Sequence, residues 1–472
     1  MTATVILSTL STRRRNGKKG QYDVGTDAAL VAIMSGENVF VSGPGGTGKT
    51  YLINMIQSMY GDSCITVAPT GVAALNVNGA TAHRTFDLAA GVSMESDWTA
   101  IRAKTAKPLK SKAFTILIID EISMIRADKF IEMDRKLRFL RKNDKPFGGI
   151  QVLLFGDFYQ APPVVSSMEK EAYFNFYHTD LCCYTESWED LNLHNIALVD
   201  QFRQESVRFA TMLNCVREGR RIKEVVAELN TRCYHGGVPT DALTICATNK
   251  QAEEVNRRFY DAIKAPEKTY IGKMKGKFPS TLPVEQEMRL KIGMKVMITS
   301  NDVDPTHKVP YYVNGTRATV VKFKTKSVVV ELEDGTQVEI EPRLWENNEY
   351  KPSQRYNIAE RKMEKFIERV VIGSYKQLPL KSGYAVTSHK SQGLTLDCYN
   401  LDLGKNGAFS PGMTYVALSR VKTIQGINLL RPLREVDIIV DPRVVEFYNT
   451  TFPDLDKIVR KDFETRAEEG DV

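Results

Sequence analysis

The sequence lacks any apolar run long enough to cross a membrane. Its longest apolar stretches, such as residues 116–119 and 152–155, have the length of β-strands, whereas a membrane-spanning helix needs roughly 18 apolar residues. We therefore expect a soluble, intracellular protein with no membrane partner. Nuclear, mitochondrial, bacterial and viral-host settings all stay open.

Cysteine is scarce, with seven residues in a chain of 472. No CxxC pair occurs, and only Cys182 and Cys183 are adjacent. Structural zinc sites and disulfide frameworks usually show cysteines at characteristic spacings, such as CxxC pairs, and these spacings are absent here. The sequence thus excludes both, and it predicts buried thiols in a reducing compartment.

Outside its first 20 residues the sequence lacks a strong charge excess. The formal net charge is +7, and five of these charges belong to Arg13, Arg14, Arg15, Lys18 and Lys19. Such a segment could bind nucleic-acid phosphates, act as a nuclear or mitochondrial address, or be a solvated arm. We predict a flexible basic tail over residues 1–22. Bulk charge therefore does not establish nucleic-acid binding.

Short apolar runs alternate with helix-like segments along most of the chain. The runs lack strict alternation of polar and apolar residues, which is typical of strands buried on both faces of a parallel sheet. One set covers residues 38–42, 64–68, 115–119 and 151–155, and a second covers 196–200, 243–247, 384–387, 398–403 and 427–430. Two sets of strands alternating with helices predict two α/β units.

The same reading predicts the domain limits. Between the strands of the second unit lies a run of short strands with a hairpin turn at Glu333-Asp334-Gly335-Thr336, which indicates an inserted β module. A shorter polar insertion falls at residues 89–113. The predicted parts are a first domain at 23–190, a second at 191–284 and 346–450, the β module at 285–345 and a C-terminal tail at 451–472.

Residues 43–50 read Gly-Pro-Gly-Gly-Thr-Gly-Lys-Thr between a predicted strand and a predicted helix. This is the GxxxxGKT phosphate-binding loop in its required setting. Glycines let backbone N–H groups converge on phosphate oxygens, and the helix N-terminus adds partial positive charge. The lysine supplies a cation for the β- and γ-phosphates, and the final threonine is a Mg²⁺ ligand. The predicted nucleotide-binding residues are Gly43, Gly45, Gly46, Thr47, Gly48, Lys49 and Thr50.

An apolar run at residues 115–119 leads directly into Asp120 and Glu121. Ligands of parallel sheets bind at the carboxyl ends of the strands, so this pair should lie beside the phosphate loop. Asp120 is the candidate ligand for Mg²⁺. Glu121 is the candidate base that polarises the attacking water. An isolated Asp-Glu pair is usually a surface turn, but the phosphate loop upstream favours the functional interpretation.

Further motifs identify a family. They are Ala68-Pro69-Thr70-Gly71, Gly156-Asp157-Phe158-Tyr159-Gln160, Phe202-Arg203-Gln204, His389-Lys390-Ser391-Gln392-Gly393 and Tyr415-Val416-Ala417-Leu418-Ser419-Arg420, with a characteristic segment from Glu121 to Gln151. Over residues 25–430 the chain closely resembles the PIF (petite integration frequency) family of superfamily-one DNA helicases. The resemblance implies two RecA-like P-loop domains with parallel sheets. It further implies a wedge subdomain at 89–113 and a small Src-homology-three-like β-barrel at 285–345.

The resemblance also implies roles at the nucleotide, which would be ATP with Mg²⁺. Gln160 would sense the γ-phosphate, and Gly393 would line the cleft. Arg203 and Arg420 would supply charge from the second domain, since the transition state of phosphoryl transfer needs neutralisation.

For DNA, the resemblance points to residues in both domains. Hydroxyls and backbone N–H groups can hold phosphates, and rings can stack on bases. For Phe86 an ordinary packing role is an equal alternative. The implied DNA-binding residues are Pro69, Thr70, Gly71, His83, Phe86, Thr387, His389 and Lys390.

Three positions depart from the family's pattern. Ala28 stands where an adenine-recognising glutamine is usual, and Gln21 is too far upstream to replace it. Met413 stands where the last motif normally has glutamine. Ser388 replaces an aliphatic residue. Adenine specificity is therefore less firmly predicted than triphosphate binding.

The resulting expectation is a monomeric motor that hydrolyses ATP, moves 5′-to-3′ on single-stranded DNA and unwinds forked duplexes, with G-quadruplexes or RNA–DNA hybrids as further substrates. Two alternatives stay open. One is a P-loop ATPase that acts on protein partners, and the other is a nucleic-acid-binding subunit without unwinding activity. Protein partners are not predicted.

Overall fold

The computed structural model describes residues 14–16, 21–89, 91–166, 168–278, 282–300, 311–312, 315–357, 362–453 and 455. The chain divides into two compact units. The first unit comprises Met1–Phe202, Asn348–Ile372 and Asp441–Val472, and the second comprises Arg203–Asn347 and Gly373–Val440.

The α-helices of the described residues are α1 (Thr26–Met34), α2 (Lys49–Tyr60), α3 (Gly71–Asn76), α4 (Ala82–Phe86), α5 (Ala103–Leu109), α6 (Ala127–Arg141), α7 (Lys170–Tyr177), α8 (Glu186–Glu189), α9 (Val207–Glu218), α10 (Ile222–Cys233), α11 (Asn249–Ala262), α12 (Met413–Leu418) and α13 (Pro442–Thr451).

The strands up to the β module are β1 (Arg14–Asn16), β2 (Gln21–Val24), β3 (Val39–Ser42), β4 (Cys64–Ala68), β5 (Ala80–Thr81), β6 (Ile116–Ile119), β7 (Gln151–Gly156), β8 (His194–Ala197), β9 (Leu243–Cys246), β10 (Glu267–Ile271), β11 (Lys273–Gly276) and β12 (Glu287–Lys291). The later strands are β13 (Lys295–Ile298), β14 (Arg317–Phe323), β15 (Val328–Leu332), β16 (Gln337–Ile340), β17 (Arg343–Asn357), β18 (Lys362–Gln377), β19 (Leu380–Ser382), β20 (Ala385–Thr387), β21 (Tyr399–Asp402) and β22 (Ile427–Leu429).

The first unit is built on one sheet with the strand order β1-β2-β8-β3-β7-β6-β4-β5. In this order, every neighbouring pair is parallel except β1 and β2, which are antiparallel. Every residue of β3, β4 and β6 is buried. Strands covered on both faces have no polar side to present, which explains their continuous apolar sequence. The parallel order brings the carboxyl ends of β3, β7, β6, β4 and β5 to one edge.

Strand β8 corrects the predicted division of the chain. The run at residues 196–200 was predicted to belong to the second unit, but β8 pairs in parallel with both β2 and β3 of the first sheet. The Nε2 atom of His194 lies 2.8 Å from Asp23 Oδ2 across this part of the sheet. The sequence of a short apolar run does not show which sheet the strand will join. Only the strands with which it pairs show the unit to which it belongs.

Helix α13 corrects the division a second time. Residues 346–450 were predicted to belong to the second domain, but α13 (Pro442–Thr451) belongs to the first unit. Its Phe447 ring packs within 5.3–6.0 Å of the rings of Phe40, Phe158 and Trp188. Burial of these aromatic surfaces fixes the helix on the first unit.

The second unit contains a four-stranded parallel sheet with the order β20-β9-β21-β22. Its hydrophobic core joins this sheet to α9, α10 and α12, with buried Leu213, Leu229, Ile245, Tyr399 and Leu418 among its members. The strands predicted at 243–247, 384–387, 398–403 and 427–430 are confirmed within one or two residues at their ends.

The predicted β module is an antiparallel sheet with the order β16-β15-β14-β13-β19. The predicted turn between β15 and β16 is confirmed, because Asp334 Oδ1 accepts the N–H of Thr336 at 2.8 Å and Gly335 has a φ of 83°. Strand β19 lies outside the predicted limits of 285–345. The module therefore draws one strand from beyond its own segment.

The predicted basic tail is only partly described. Strand β1 pairs with β2 within residues 1–22, so the prediction of a flexible arm is wrong for Arg14–Asn16. Arg13, Lys18 and Lys19, and residues 456–472 of the predicted C-terminal tail, lie outside the described residues.

The thiols follow the prediction with one exception. All seven cysteines are free; Cys398 is exposed and the other six are buried. Within the described part of the chain, no helix combines the length and apolar character needed to cross a membrane.

Candidate nucleotide and nucleic-acid sites

The phosphate loop connects β3 to α2 at the carboxyl edge of the first sheet. Gly46 and Gly48 have φ angles of 89° and 86°, which favour glycine. A Cβ atom on Gly43 would lie 2.7 Å from the carbonyl oxygen of Leu198. The glycines predicted from the sequence are thus required by backbone conformation and by close approach.

Lys49 lies inside this loop. Its Nζ donates to the carbonyl oxygens of Gly43, at 2.6 Å, and Pro44, at 3.0 Å. The hydroxyl of Thr47 also donates to Pro44, at 3.0 Å, and Thr50 is exposed at the start of α2. The ammonium is already directed into the space that the loop encloses, where phosphate oxygens could replace the carbonyl acceptors.

Asp120 and Glu121 lie at the end of β6, which is two strands away from β3 in the sheet. Asp120 is buried, and Glu121 has a left-handed φ of 50°. Burial raises the pKa of Asp120 well above its usual range, the neighbouring Glu121 charge raises it further, and Lys49 opposes the shift. The two carboxyls thus lie close to each other and to the lysine of the loop, and a nearby positive charge favours their ionised forms.

Gln160 reaches the same edge from the end of β7. Its Nε2 donates to Asp157 Oδ2 at 3.3 Å, and its backbone N–H donates to the Asp157 carbonyl at 2.9 Å. Asp157 is fully buried and Gln160 is 5% exposed. A buried carboxylate therefore fixes the side chain that the motif singles out.

The predicted DNA-binding residues of the first unit follow β4 and β5, at the far side of the same edge. Thr70 is exposed, and its Oγ1 caps α3 by accepting the N–H of Ala73 at 3.2 Å. Pro69 and Gly71 flank it. His83 is exposed one residue into α4, and partial burial, followed by the charge of Lys129, lowers its pKa. Its imidazole is therefore uncharged at neutral pH.

Phe86 is not available to a nucleic acid in this structure. Its side chain is 0% exposed, and its carbonyl oxygen accepts from Lys136 Nζ at 3.2 Å. The packing role that the sequence left as an alternative is the one observed. A phenylalanine at the end of a short helix reads the same in either role, so the sequence could not separate them.

The second unit brings Arg203 and Arg420 together although 217 residues separate them. Arg203 Nη1 donates to the carbonyl of Ser419 at 3.0 Å, and Arg420 Nη2 donates to the Ser419 hydroxyl at 2.7 Å. Arg420 is 1% exposed and also donates to the carbonyls of Val416 and Ser391. Gly393 follows Ser391 by two residues. The motif arginines therefore form one cluster inside this unit.

The predicted DNA-binding segment of the second unit is partly buried. Thr387 is 5% exposed, and its Oγ1 accepts the N–H of Lys390 at 3.4 Å. Lys390 is exposed. Burial, and then the charge of Lys390, lowers the pKa of Lys381, so the two cations are neighbours. The side chain of His389 lies outside the described residues.

The departures from the family's pattern lie in packed positions. Ala28 is buried in the core of the first unit, and Met413 and Ser388 are buried in the second. An alanine methyl offers no hydrogen bond to a base. Ala28 therefore cannot recognise a base by hydrogen bonding.

Phe202 was missed as a candidate, although it stands beside the motif arginine. Its N–H donates to the carbonyl of Gly46 at 3.1 Å. Its ring lies 3.8 Å from where a Cβ on Gly48 would be, and its side chain is 77% exposed. The ring therefore lies exposed beside the phosphate loop, and its neighbours along the sequence gave no sign of that contact.

A mostly parallel sheet whose carboxyl edge carries a phosphate loop, an acidic pair and a buried Asp-Gln pair defines a P-loop nucleotide-binding protein. The profile of the PIF1-like helicases matches residues 18–227. Pif1 of Bdellovibrio bacteriovorus, an ATP-dependent DNA helicase, is 30% identical over 436 residues, covering 89% of this chain and 90% of its own. The chain belongs to the PIF1-like helicase family.

Other relatives agree. Human PIF1, an ATP-dependent DNA helicase, is 31% identical over 433 residues, and zebrafish PIF1 is 31% identical over 439. The chain covers 63% and 61% of their lengths, or about three fifths.

Solved structures support the fold class. Unliganded Pif1 from Bacteroides sp. superposes with a TM-score of 0.78 at 29% identity, covering 91% of this chain and 97% of its own. Bacteroides Pif1 with ADP-AlF3 and single-stranded DNA gives a TM-score of 0.62 at 30% identity, covering 90% and 96%. The prediction of two RecA-like units is confirmed.

Replacement of Lys49 by alanine should abolish ATP hydrolysis, because the cation that the loop directs at the phosphates is lost. We expect a fall of at least about 100-fold in kcat, measured as phosphate release. Ser58→Ala, at the exposed far end of α2, should retain normal turnover. Appreciable turnover by Lys49→Ala would place the ATPase site elsewhere.

Proposed function

We propose that the protein is an ATP-dependent DNA helicase that moves along single-stranded DNA. The observation that carries the proposal is the shared edge of the first sheet. Residues for a triphosphate follow β3, β6 and β7, and exposed residues suited to a nucleic-acid backbone follow β4 and β5. Because these strands belong to one sheet, a structural change at the nucleotide can reach the residues that would bind DNA.

At the nucleotide, Lys49 and the backbone N–H groups of the loop hold the triphosphate. The Thr50 hydroxyl and the Asp120 carboxylate are hard oxygen donors that fit Mg²⁺. The raised pKa of Asp120 supports the fit, because a carboxyl beside another carboxyl gains most from a cation. Bound Mg²⁺ would supply charge neutralisation. Glu121 orients the attacking water, and Gln160 contacts the γ-phosphate.

Arg203 and Arg420 act on the nucleotide from the second unit. Guanidinium groups neutralise charge that develops in the transition state. In this structure Arg420 donates to oxygens of Val416, Ser391 and Ser419. To neutralise the transition state, it has to exchange some of these acceptors for phosphate oxygens. Gly393 lies beside the same cluster. Hydrolysis then depends on the second unit, which makes it responsive to that unit's DNA.

The DNA-binding residues of the first unit are Pro69, Thr70, Gly71 and His83. The uncharged imidazole of His83 binds by hydrogen bonding or by stacking on a base. In the second unit Lys390 supplies a charge for the backbone, with Thr387 and His389 in support. The insertion at 89–113 acts as the wedge. Movement is 5′-to-3′ by a monomer, and forked duplexes, G-quadruplexes and RNA–DNA hybrids are its substrates.

Two rivals differ in their response to DNA. A P-loop ATPase that acts on protein would turn over ATP at a rate indifferent to single-stranded DNA. A binding subunit without motor activity would bind DNA and hydrolyse nothing. The grouping of Lys49, Asp120, Glu121 and Gln160 at one sheet edge favours a working ATPase over the second rival.

The function is tested by ATP turnover with and without an oligonucleotide, together with unwinding of forks that carry one single-stranded tail. We expect DNA to raise kcat at least about tenfold and unwinding to occur only from a 5′ tail. Unwinding from the 3′ tail alone would contradict the polarity. Turnover unaffected by DNA would contradict the helicase itself.

We further propose that Phe202 stacks on the base of the bound nucleotide. Its exposed ring borders the loop at Gly48, and the buried Ala28 offers no group for base recognition. Stacking on a ring is insensitive to which base is present. This arrangement predicts weak discrimination between ATP and GTP.

Replacement of Phe202 by alanine should raise KM for ATP about tenfold, since one stacking contact contributes about 1–3 kcal/mol. The kcat should change little, and Phe202→Tyr should restore the wild-type KM. Phe139→Ala removes another exposed ring, on α6, and serves as the control. An unchanged KM in Phe202→Ala would eliminate the stacking role.

A further inference from the structure

Helix α13 returns the chain to the first unit after the second unit ends at Val440. Asp441 caps the helix by accepting the N–H of Arg443 at 2.9 Å. Arg443 Nη1 forms an ion pair with Asp180 at 2.7 Å, and the Tyr184 hydroxyl donates to the Arg443 carbonyl. These contacts fix the helix at its first turn, so its second turn has a defined position.

That second turn carries Tyr448, whose hydroxyl is buried between two loops of the nucleotide site. Tyr448 Oη lies 2.6 Å from Ser42 Oγ and accepts the N–H of Phe158 at 3.2 Å. It lies 3.3 Å from Asp157 Oδ1. Because an ionised carboxylate only accepts, any hydrogen bond with Asp157 must be donated by the tyrosine.

Both loops contain residues of the hydrolysis site. Ser42 is the last residue of β3 and directly precedes Gly43 of the phosphate loop. Asp157 holds Gln160 through its other oxygen, Oδ2, at 3.3 Å. The tyrosine hydroxyl therefore contacts the start of the phosphate loop and the carboxylate that orients Gln160.

Packing alone does not account for the hydroxyl. The Tyr448 ring stacks on Tyr159 at 4.5 Å and on Phe452 at 5.6 Å, and a phenylalanine would make the same ring contacts. A buried hydroxyl that lacked partners would cost free energy, so its place among three polar atoms is specific. The ring packs in the hydrophobic core, whereas the hydroxyl makes polar contacts with the two loops.

We propose that Tyr448 is a positioning residue for ATP hydrolysis, whose hydroxyl sets the Asp157 carboxylate and through it the Gln160 side chain relative to the phosphate loop. The inference rests on the proposed ATPase function of this site. A residue of α13 thereby joins a hydrolysis site whose other first-unit residues lie between positions 43 and 160. Nothing in a motif of the first unit identifies it.

The proposal separates ground-state binding from catalysis. Gln160 acts on the γ-phosphate, and ADP has none. Removal of the hydroxyl should therefore leave affinity for ADP unchanged and weaken only complexes in which a γ-phosphate or its analogue is present. A general loosening of the helix would instead weaken every nucleotide and lower thermal stability.

Tyr448→Phe should lower kcat for basal ATP hydrolysis about tenfold, with melting temperature and ADP affinity close to wild type. Affinity for ADP with aluminium fluoride, which mimics the transferring phosphoryl group, should fall by a similar factor. Tyr184→Phe removes a hydroxyl at the first turn of the same helix. Because the Arg443–Asp180 ion pair and the Asp441 cap still hold that turn, kcat and both nucleotide affinities should stay close to wild type.

A double variant tests the route through Gln160. If Tyr448 acts through this residue, Tyr448→Phe should cause no further loss of kcat in a Gln160→Ala background. Multiplicative losses would overturn the proposal, as would wild-type kcat in Tyr448→Phe or a parallel fall in ADP affinity. Because hydrolysis is measured without DNA, absent stimulation or unwinding in the wild type would reject the helicase function and leave this comparison intact.

Discussion

The proposed nucleotide site at the edge of the first sheet has to neutralise the negative charge of a triphosphate, and the rest of the proposed mechanism depends on this requirement. A triphosphate carries several negative charges at neutral pH, and Asp120 and Glu121 follow β6 at the sheet edge that carries the phosphate loop. Lys49 and the N–H groups of the loop oppose part of that charge. Unpaired charge in a partly buried site costs several kcal/mol. In the proposed mechanism, a divalent cation would therefore assist binding of the triphosphate, and further cations would assist its hydrolysis.

In the proposed mechanism, the cations that act on the triphosphate come from both units, and this division is what would let a motor use the site. Lys49 belongs to the first unit, and Arg203 and Arg420 form a cluster at Ser419 in the second. In the proposed mechanism, binding requires the first unit alone, whereas rapid hydrolysis requires both. Any ligand that changes the position of the second unit then changes the rate, which is how DNA would be coupled to ATP.

Local features of the fold and site could be predicted from the sequence, and features set by distant partners could not. The phosphate loop, β3, β4 and β6 follow from glycine chemistry and continuous apolar runs. The sheet chosen by β8, the unit joined by α13, the burial of Phe86 and the exposure of Phe202 depend on contacts between separated segments. Tyr448 is the extreme case, since it meets Ser42 across 406 positions.

The proposed mechanism requires Arg203 and Arg420 for hydrolysis. Its most direct test is ATP turnover at saturating single-stranded DNA for Arg420→Ala, alongside Arg203→Ala because Arg420 is deeply buried. We expect kcat to fall at least about 1,000-fold while ATP affinity changes little, with the exposed Arg257→Ala unaffected. Turnover near the wild-type rate in correctly folded Arg420→Ala and Arg203→Ala would contradict this account.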